Sequence, residues 1–533
     1  MDERKRLRLK KFNLHPITAF ILLSIFVILL SSLLTSFSVE TNYNKVNSVT
    51  LNLENVMVQP ENLLSFSGFK YIISNAIKNF VSFAPLSNLI IAIIGIAIAN
   101  ATGLLDTFIR RQTFNVSNKF ITFSLIFLAV FSSIINDVGY VILIPLAAII
   151  YYANGRSPLL GITTAFGAIS FGYGATLFAG SMEVALTPLS TVAARLISDG
   201  YHVPMLANLF ILIVSTIIVS IVGTLVVENI LVKKIGRYRT LDSDEADEIT
   251  REFKREELIE DDQKRLELEY RERRGLKNSY TVAFIFLLIF IYMITPNFPM
   301  SGMLLDMSET TYLGQLFGET SYFQEGFTFM VSMLFVVAGL AYGFGAKTLK
   351  SDSELIEKAN EYLKHIGSLL ILVFVAAQFI AIFKKSNIGT IIICLLADLV
   401  KSLAFTGIPL ILLVIIVIAV ANLFVPSSVA KWTILSPVVV PMMMQSNIDP
   451  AFAQFILRAS ESITRGMTPL LAYFVIYLGY LNIYNKNKEP ITIGRALSYV
   501  SPFALLMGIT WIAIIIFWYV IGLPIGPDVF PTM

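Results

Sequence analysis

Apolar blocks about 20 residues long recur along this chain, and at ~1.5 Å of rise per residue each is a helix long enough to cross the hydrocarbon core of a bilayer. A soluble protein of this length needs a charged surface. Only 14% of these residues are charged and 56% are hydrophobic, so the membrane is the solvent for most of the chain. The reading is an all-α membrane protein.

The basic residues sit in loops between the apolar blocks, and the net charge of +3 gives no reason to invoke nucleic acid. The single cysteine, Cys394, excludes an intramolecular disulfide and any CxxC motif. The three histidines, His15, His202 and His365, lie near span ends and form no metal-binding cluster in the sequence. Six Lys/Arg precede the first apolar run, 16–38, which is longer than a signal-peptide core and lacks a small-residue cleavage site. It reads as a retained first span with a cytoplasmic N-terminus.

Two apolar runs, 120–152 and 406–444, are too long for one ordinary span, and each is broken in the middle. The first break holds Ser132, Ser133, Asn136, Asp137 and Gly139, and the second holds Pro426, Ser427, Ser428, Lys431 and Trp432. Irregular backbone at membrane depth is tolerated only against protein or a water-filled cavity, which makes each run a re-entrant hairpin with a polar tip. Each hairpin precedes a broken span, at 159–196 and 453–484. The halves also match in detail. Residues 140–145 read YVILIP and 432–437 read WTILSP, each after a Ser-Ser pair. A Glu precedes Thr-Pro-Leu in both broken spans, as Glu183 before Thr187 and as Glu461 before Thr468. Such order with opposite orientation is the inverted-repeat logic of secondary transporters.

The expected layout follows from these marks. Residues 1–85 carry an N-terminal cytoplasmic tail, the first span and an external loop. Residues 86–232 form the first inverted repeat. Residues 233–278 are a cytoplasmic linker, with 13 Lys/Arg and 14 Asp/Glu between 233 and 277 that keep it solvated. Residues 279–365 supply two connecting spans, and 366–533 form the second repeat. That makes about nine spans and two hairpins, with an external C-terminus.

Asp137 is the most informative residue, because a carboxylate in an apolar run costs ~2.5–3.5 kcal/mol to insert and needs a partner or a function. With Ser132 and Asn136 it offers a site for a coupling proton or a sodium ion. The alternative is a carboxylate that caps the second hairpin arm. Arg458, Glu461 and Arg465 follow at helical spacing as ion-pair candidates. Two cations against one carboxylate leave a positive excess suited to an anionic solute, with Arg458 as its fork. A structural network is the other reading. Trp432 is placed to stack on an aromatic solute or to pack helices. Asn422, Ser427, Ser428, Thr176 and Glu183 complete the polar candidates. Hairpin tips are also helix ends, whose free N–H groups favour anions. No nucleotide loop points to ATP, no continuous polar stripe points to a channel, and no nucleophile–base or metal set points to an enzyme.

The segments SSIINDVGYVILIPLAA, NLFVPSSVAKWTILSPVVVP and TPLLAYF resemble the AbgT family of p-aminobenzoyl-glutamate transporters, with weaker likeness at VSFAPLSNLI and AAQFI. The resemblance implies a homodimer in the cell membrane, nine spans with two re-entrant hairpins, and transport coupled to protons or sodium without another cofactor. The implied solutes are p-aminobenzoyl-glutamate, p-aminobenzoate or sulfonamide antimetabolites. It places functional roles on Asp137, Trp432, Pro450 and Arg458. The chain departs from the family pattern at Val429, Glu461 and Arg465, where Ser, Asp and Asn are usual, and at residues 173–176.

Overall fold

The computed structural model describes residues 14–113, 115–135, 137–236, 262–318, 320–364, 366–487 and 489–533. Asn136, His365 and most of the charged linker lie outside the described residues. Among the described residues, ten helices are long and apolar enough to cross a membrane by length and composition. They include one arm of each broken run, 118–135 and 407–424. The outer helices bury little: 6% of the apolar window of Leu266–Ile294 is covered by protein, against 67% of that in Pro450–Ile483. The second broken span is therefore at the centre of the molecule.

The first long run folds as two helices, Asn118–Phe131 and Val138–Ala153, joined through a 3-10 turn at Ser132–Ile135. Ser117 caps the first by accepting the Phe120 N–H at 3.3 Å. Past the end of the second, Arg156 reaches back to Thr122 Oγ1 at 2.9 Å, and the Tyr151 hydroxyl lies 2.8 Å from the same atom. Both arms thus end beside one another, which makes the run a hairpin. The second run, Gly407–Phe424 and Ser428–Gln445, turns through three residues that continue neither helix. Ser427 caps its second arm through the Ala430 N–H at 3.3 Å.

Each hairpin is followed by a helix pair with a break, Pro158–Phe171 with Ser181–Ala194 and Pro450–Thr464 with Ala472–Ile483. The four irregular segments converge. Ser133 Oγ donates to the Ala175 carbonyl at 2.7 Å, joining the first tip to the first break. Gly174 donates its N–H to Ser462 Oγ at 2.7 Å, joining that break to the central helix. A Cβ at Gly174 would lie 2.8 Å from the Arg458 carbonyl, so only glycine allows this approach. Thr468 Oγ1 donates to the Leu423 carbonyl at 2.6 Å, joining the second break to the second tip. Interrupted helices leave backbone groups that lipid cannot satisfy, and here hydroxyl side chains of the neighbouring segments satisfy them.

Three features differ from the sequence reading. The all-α description needs one amendment, because Thr41–Val46 and Leu53–Val58 pair as an antiparallel ribbon with Thr41 opposite Val58. Asn42, Asn44, Lys45, Glu54 and Asn55 interrupt the apolar positions of these two short strands, so no sustained alternation marked them in the sequence. Residues 66–81, read only as part of a loop, are a helix capped by Ser65, with Phe66, Phe69, Ile73 and Ile77 exposed along one face. The span expected at 279–295 is the end of a 33-residue helix, Asp262–Ile294, that begins inside the charged segment. Arg271 pairs with Glu267, and Arg273 with Glu269 at 2.6 Å, one turn apart along it.

Candidate functional site

Arg465 stands where the second break meets both hairpin tips. One Nη donates to Asp137 Oδ1 at 2.8 Å and the other to the Pro426 carbonyl at 3.0 Å. The guanidinium carbon sits 3.6 Å from the centre of the Tyr173 ring, close enough for a cation–π contact. Its side chain is 3% exposed, whereas that of Asp137 is 20% exposed, so the carboxylate is the more accessible member of the pair. Asp137 occupies the N-cap position of Val138–Ala153 but makes no capping hydrogen bond. The capping alternative thus fails: its carboxylate is turned to Arg465.

A second pair is completely buried. Lys431 Nζ lies 2.8 Å from Glu461 Oε1, with both side chains at 0% exposure. The ammonium also donates to Asn422 Oδ1 at 2.6 Å and the Val425 carbonyl at 2.8 Å. Ser428 Oγ donates to Glu461 Oε2 at 2.5 Å, and Asn422 Nδ2 to the Glu461 carbonyl at 3.0 Å. Buried charges persist when paired and hydrogen-bonded, and this set is both.

The third pair joins the two broken spans. Arg458 is ion-paired to Glu183, and its other Nη donates to the Tyr173 carbonyl at 3.2 Å. Glu183 Oε2 accepts the Gly180 N–H at 2.8 Å, which closes the first turn of Ser181–Ala194. This corrects the sequence reading. Arg458, Glu461 and Arg465 share a helical face but do not pair with one another; each takes an opposite charge from another element. Three cations meet three carboxylates, and the positive excess disappears. Helix-surface pairs contribute only ~0.2–0.5 kcal/mol, whereas an unpaired buried charge costs several, so cross-element pairing wins. Arg458→Lys is accordingly expected to weaken binding of p-aminobenzoate and its carboxamide alike. A loss confined to the acid, measured on purified protein, would return Arg458 to the role of anion fork.

The remaining candidates are placed as follows. Ser132 donates to the Ala129 carbonyl at 2.7 Å, ending the first arm. Thr176 is buried, and its hydroxyl has no hydrogen-bond partner among the described residues. Trp432 is fully buried, with its ring N–H donated to Ser190 Oγ at 2.8 Å, and packs helices in this conformation. Ser427 is exposed and serves as a cap. Pro450 starts the central helix behind the cap Asp449, eight residues before Arg458, or ~12 Å along the axis, so it does not reach the cluster. Sequence reasoning left out Tyr173, Ser190 and Gln454. Ser190 Oγ donates to Gln454 Oε1 at 2.7 Å. The spacing of Gln454 to Arg458 and Glu461 is a polar stripe that helical periodicity could have shown.

Apolar spanning helices around a buried set of charges at interrupted backbone define a multi-pass membrane transporter. The chain matches the model of the "AbgT putative transporter family" over residues 11–533 and belongs to that family. It is therefore a transporter rather than an enzyme. It is 29% identical to the p-aminobenzoyl-glutamate transport protein of Escherichia coli (strain K12) over 519 residues, 97% of this chain and 94% of that one. Among solved structures it is similar to the Alcanivorax borkumensis YdaH transporter, at 27% identity and TM-score 0.47, covering 96% of this chain and 100% of that one. It is also similar to Neisseria gonorrhoeae MtrF, described as illuminating a class of antimetabolite efflux pumps, at 28% identity and TM-score 0.48, covering 97% and 98%.

Proposed function

We propose that this chain is an ion-coupled secondary active transporter of p-aminobenzoyl-glutamate, p-aminobenzoate or related aromatic anions, with export of sulfonamide antimetabolites within its range. The observation that carries this is the Asp137–Arg465 pair at the meeting of two hairpin tips. It is the one of the three pairs whose carboxylate is part-exposed; the other two are closed to solvent. A solute carboxylate can take the Arg465 fork when Asp137 leaves it, because Arg binds carboxylates in a planar, paired geometry. The anion site therefore moves from Arg458 to Arg465, and Asp137 carries the ion coupling. The name of the Escherichia coli relative supports the solute class. Uptake of radiolabelled p-aminobenzoate into proteoliposomes under an imposed ion gradient tests it; accumulation no greater than in empty liposomes would overturn it.

A second reading, another small carboxylate on the same architecture, is favoured by Trp432. Its ring is buried and its N–H engaged by Ser190, so no stacking face is offered to an aromatic solute in this conformation. Competition of labelled p-aminobenzoate by aliphatic dicarboxylates separates the two.

The distribution of Lys and Arg supports a topology with the N-terminus and residues 233–277 in the cytoplasm and the C-terminus outside. Cys394 is buried in Ile388–Leu403. On a Cys394→Ala background, a cysteine at position 260 should resist an impermeant thiol reagent in intact cells and react after permeabilisation. Labelling in intact cells would invert the topology.

A further inference from the structure

The oxygens a small coupling cation would need are present at the second hairpin tip, and side-chain cations already take them. Secondary transporters coordinate such cations with unwound backbone carbonyls and half-helix C-terminal ends. The C-terminal end of Gly407–Phe424 supplies that arrangement through the Val425 and Pro426 carbonyls and Asn422 Oδ1, with carboxylates from Glu461 and Asp137 beside them. Hard cations favour oxygens of these types. Lys431 Nζ, however, sits on Asn422 Oδ1 at 2.6 Å, the Val425 carbonyl at 2.8 Å and Glu461 Oε1 at 2.8 Å. Arg465 takes the Pro426 carbonyl at 3.0 Å and Asp137 Oδ1 at 2.8 Å. The cations also complete the helix electrostatically, since positive charge is stabilising at a helix C-terminus.

We infer that Arg465 and Lys431 are tethered counter-ions standing in for sodium at the meeting of the hairpins, so that this transporter neither binds nor uses sodium there. The described residues around Asp137 do not fit a sodium ion there. A sodium ion would have to displace a guanidinium that cannot diffuse away, and it would enter between two fixed positive charges. The Tyr173 ring lies under the Arg465 guanidinium, its centre 3.6 Å from the guanidinium carbon, and helps to hold that cation in place. Tyr140, three residues after Asp137, stacks on Tyr473 with ring centres 4.8 Å apart. Neither ring adds a carboxylate that could offset an extra cation. Arg458 and Glu183 neutralise one another and supply none either. The inference rests on the proposed ion-coupled function only for its consequence in transport; the occupation of the oxygens in this conformation is given by the distances alone.

The test uses purified full-length protein without solute, compared in sodium chloride and choline chloride at equal ionic strength. The melting temperature of the wild type should be the same in both, and radioactive sodium should not bind above background. Arg465→Asn removes the tethered charge and leaves Asp137, the Pro426 carbonyl and a new amide oxygen facing one another. This variant should gain a sodium-dependent rise of a few degrees in melting temperature, as binding to the folded state requires, and sodium binding of up to one ion per chain. Arg465→Lys, which keeps a tethered cation, should remain indifferent. Sodium stabilisation of the wild type overturns the inference, and so does a folded Arg465→Asn that ignores sodium. If Arg465→Asn does not assemble, the wild-type result alone decides. In proteoliposomes, p-aminobenzoate uptake under a proton gradient should be equal with and without sodium. Failure to bind or move p-aminobenzoate under any condition, with the melting behaviour as expected, would overturn the proposed solute and leave the tethered cations standing.

Discussion

Asp137→Asn is expected to reduce gradient-driven uptake into proteoliposomes to the level of liposomes without protein, while the purified variant still elutes as folded transporter. The carboxylate is the part-exposed member of a pair whose cation also holds the second hairpin tip. Replacing it by an amide removes the charge that a coupling ion would answer but keeps an acceptor oxygen for Arg465. The guanidinium also retains the Pro426 carbonyl and the Tyr173 face. The structural cost is bounded above by that of leaving the buried Arg465 guanidinium without its counter-charge, about 3–5 kcal/mol, and the retained amide acceptor, the Pro426 carbonyl and the Tyr173 face reduce it. Solute binding at equilibrium should survive in the variant, because the Arg465 fork remains and a neutral amide holds it less tightly than the carboxylate does. Coupled uptake at wild-type rates would end the assignment of coupling to Asp137. Loss of folded protein would make the residue structural.

Glu461→Ala is expected to have the larger effect on stability, about 3–5 kcal/mol, because it leaves the Lys431 ammonium buried without its counter-charge. Both side chains are at 0% exposure, and Ser428 and Asn422 are committed to the same group of atoms. Lys431→Met in the same chain should recover part of the loss, since removing both charges removes the desolvation penalty with them. Thermal unfolding of the two single variants and the double variant in detergent measures the coupling. If the double variant is as unstable as the sum of the singles, the two residues do not act as a pair. The contrast with Arg271 and Glu267 is instructive. That pair lies on an exposed helix surface at side-chain exposures of 45% and 60%, and breaking it should cost well under 1 kcal/mol.

Much of this architecture is legible in the residues themselves. Apolar length names the spanning helices, because only a helix of about 20 apolar residues satisfies its backbone while crossing a bilayer. Polar interruptions at Ser132–Asp137 and Pro426–Trp432 mark the two tips, since polar residues inside apolar runs are costly unless they meet one another. The repeat of YVILIP and WTILSP, each ahead of a broken span, marks the two halves. The amphipathic and polar segments between 39 and 85 were less legible, because two six-residue strands whose apolar positions are interrupted by Asn, Lys and Glu are too short to show a sustained period.

The partners of the charges were decided by the tertiary structure. Helical spacing placed Glu461 between Arg458 and Arg465, and local reasoning paired them. In the folded chain Arg458 meets Glu183, 275 residues away, and Arg465 meets Asp137, 328 residues away. Lys431, in the second arm of the second hairpin, takes Glu461 of the central helix Pro450–Thr464. The sequence by itself determined that these charges lie inside a membrane protein and must be neutralised, because the cost of burying a charge depends only on its surroundings. Which carboxylate neutralises which cation depends on where four helix breaks come to rest against one another. That is a property of packing between elements hundreds of residues apart, and no local pattern records it.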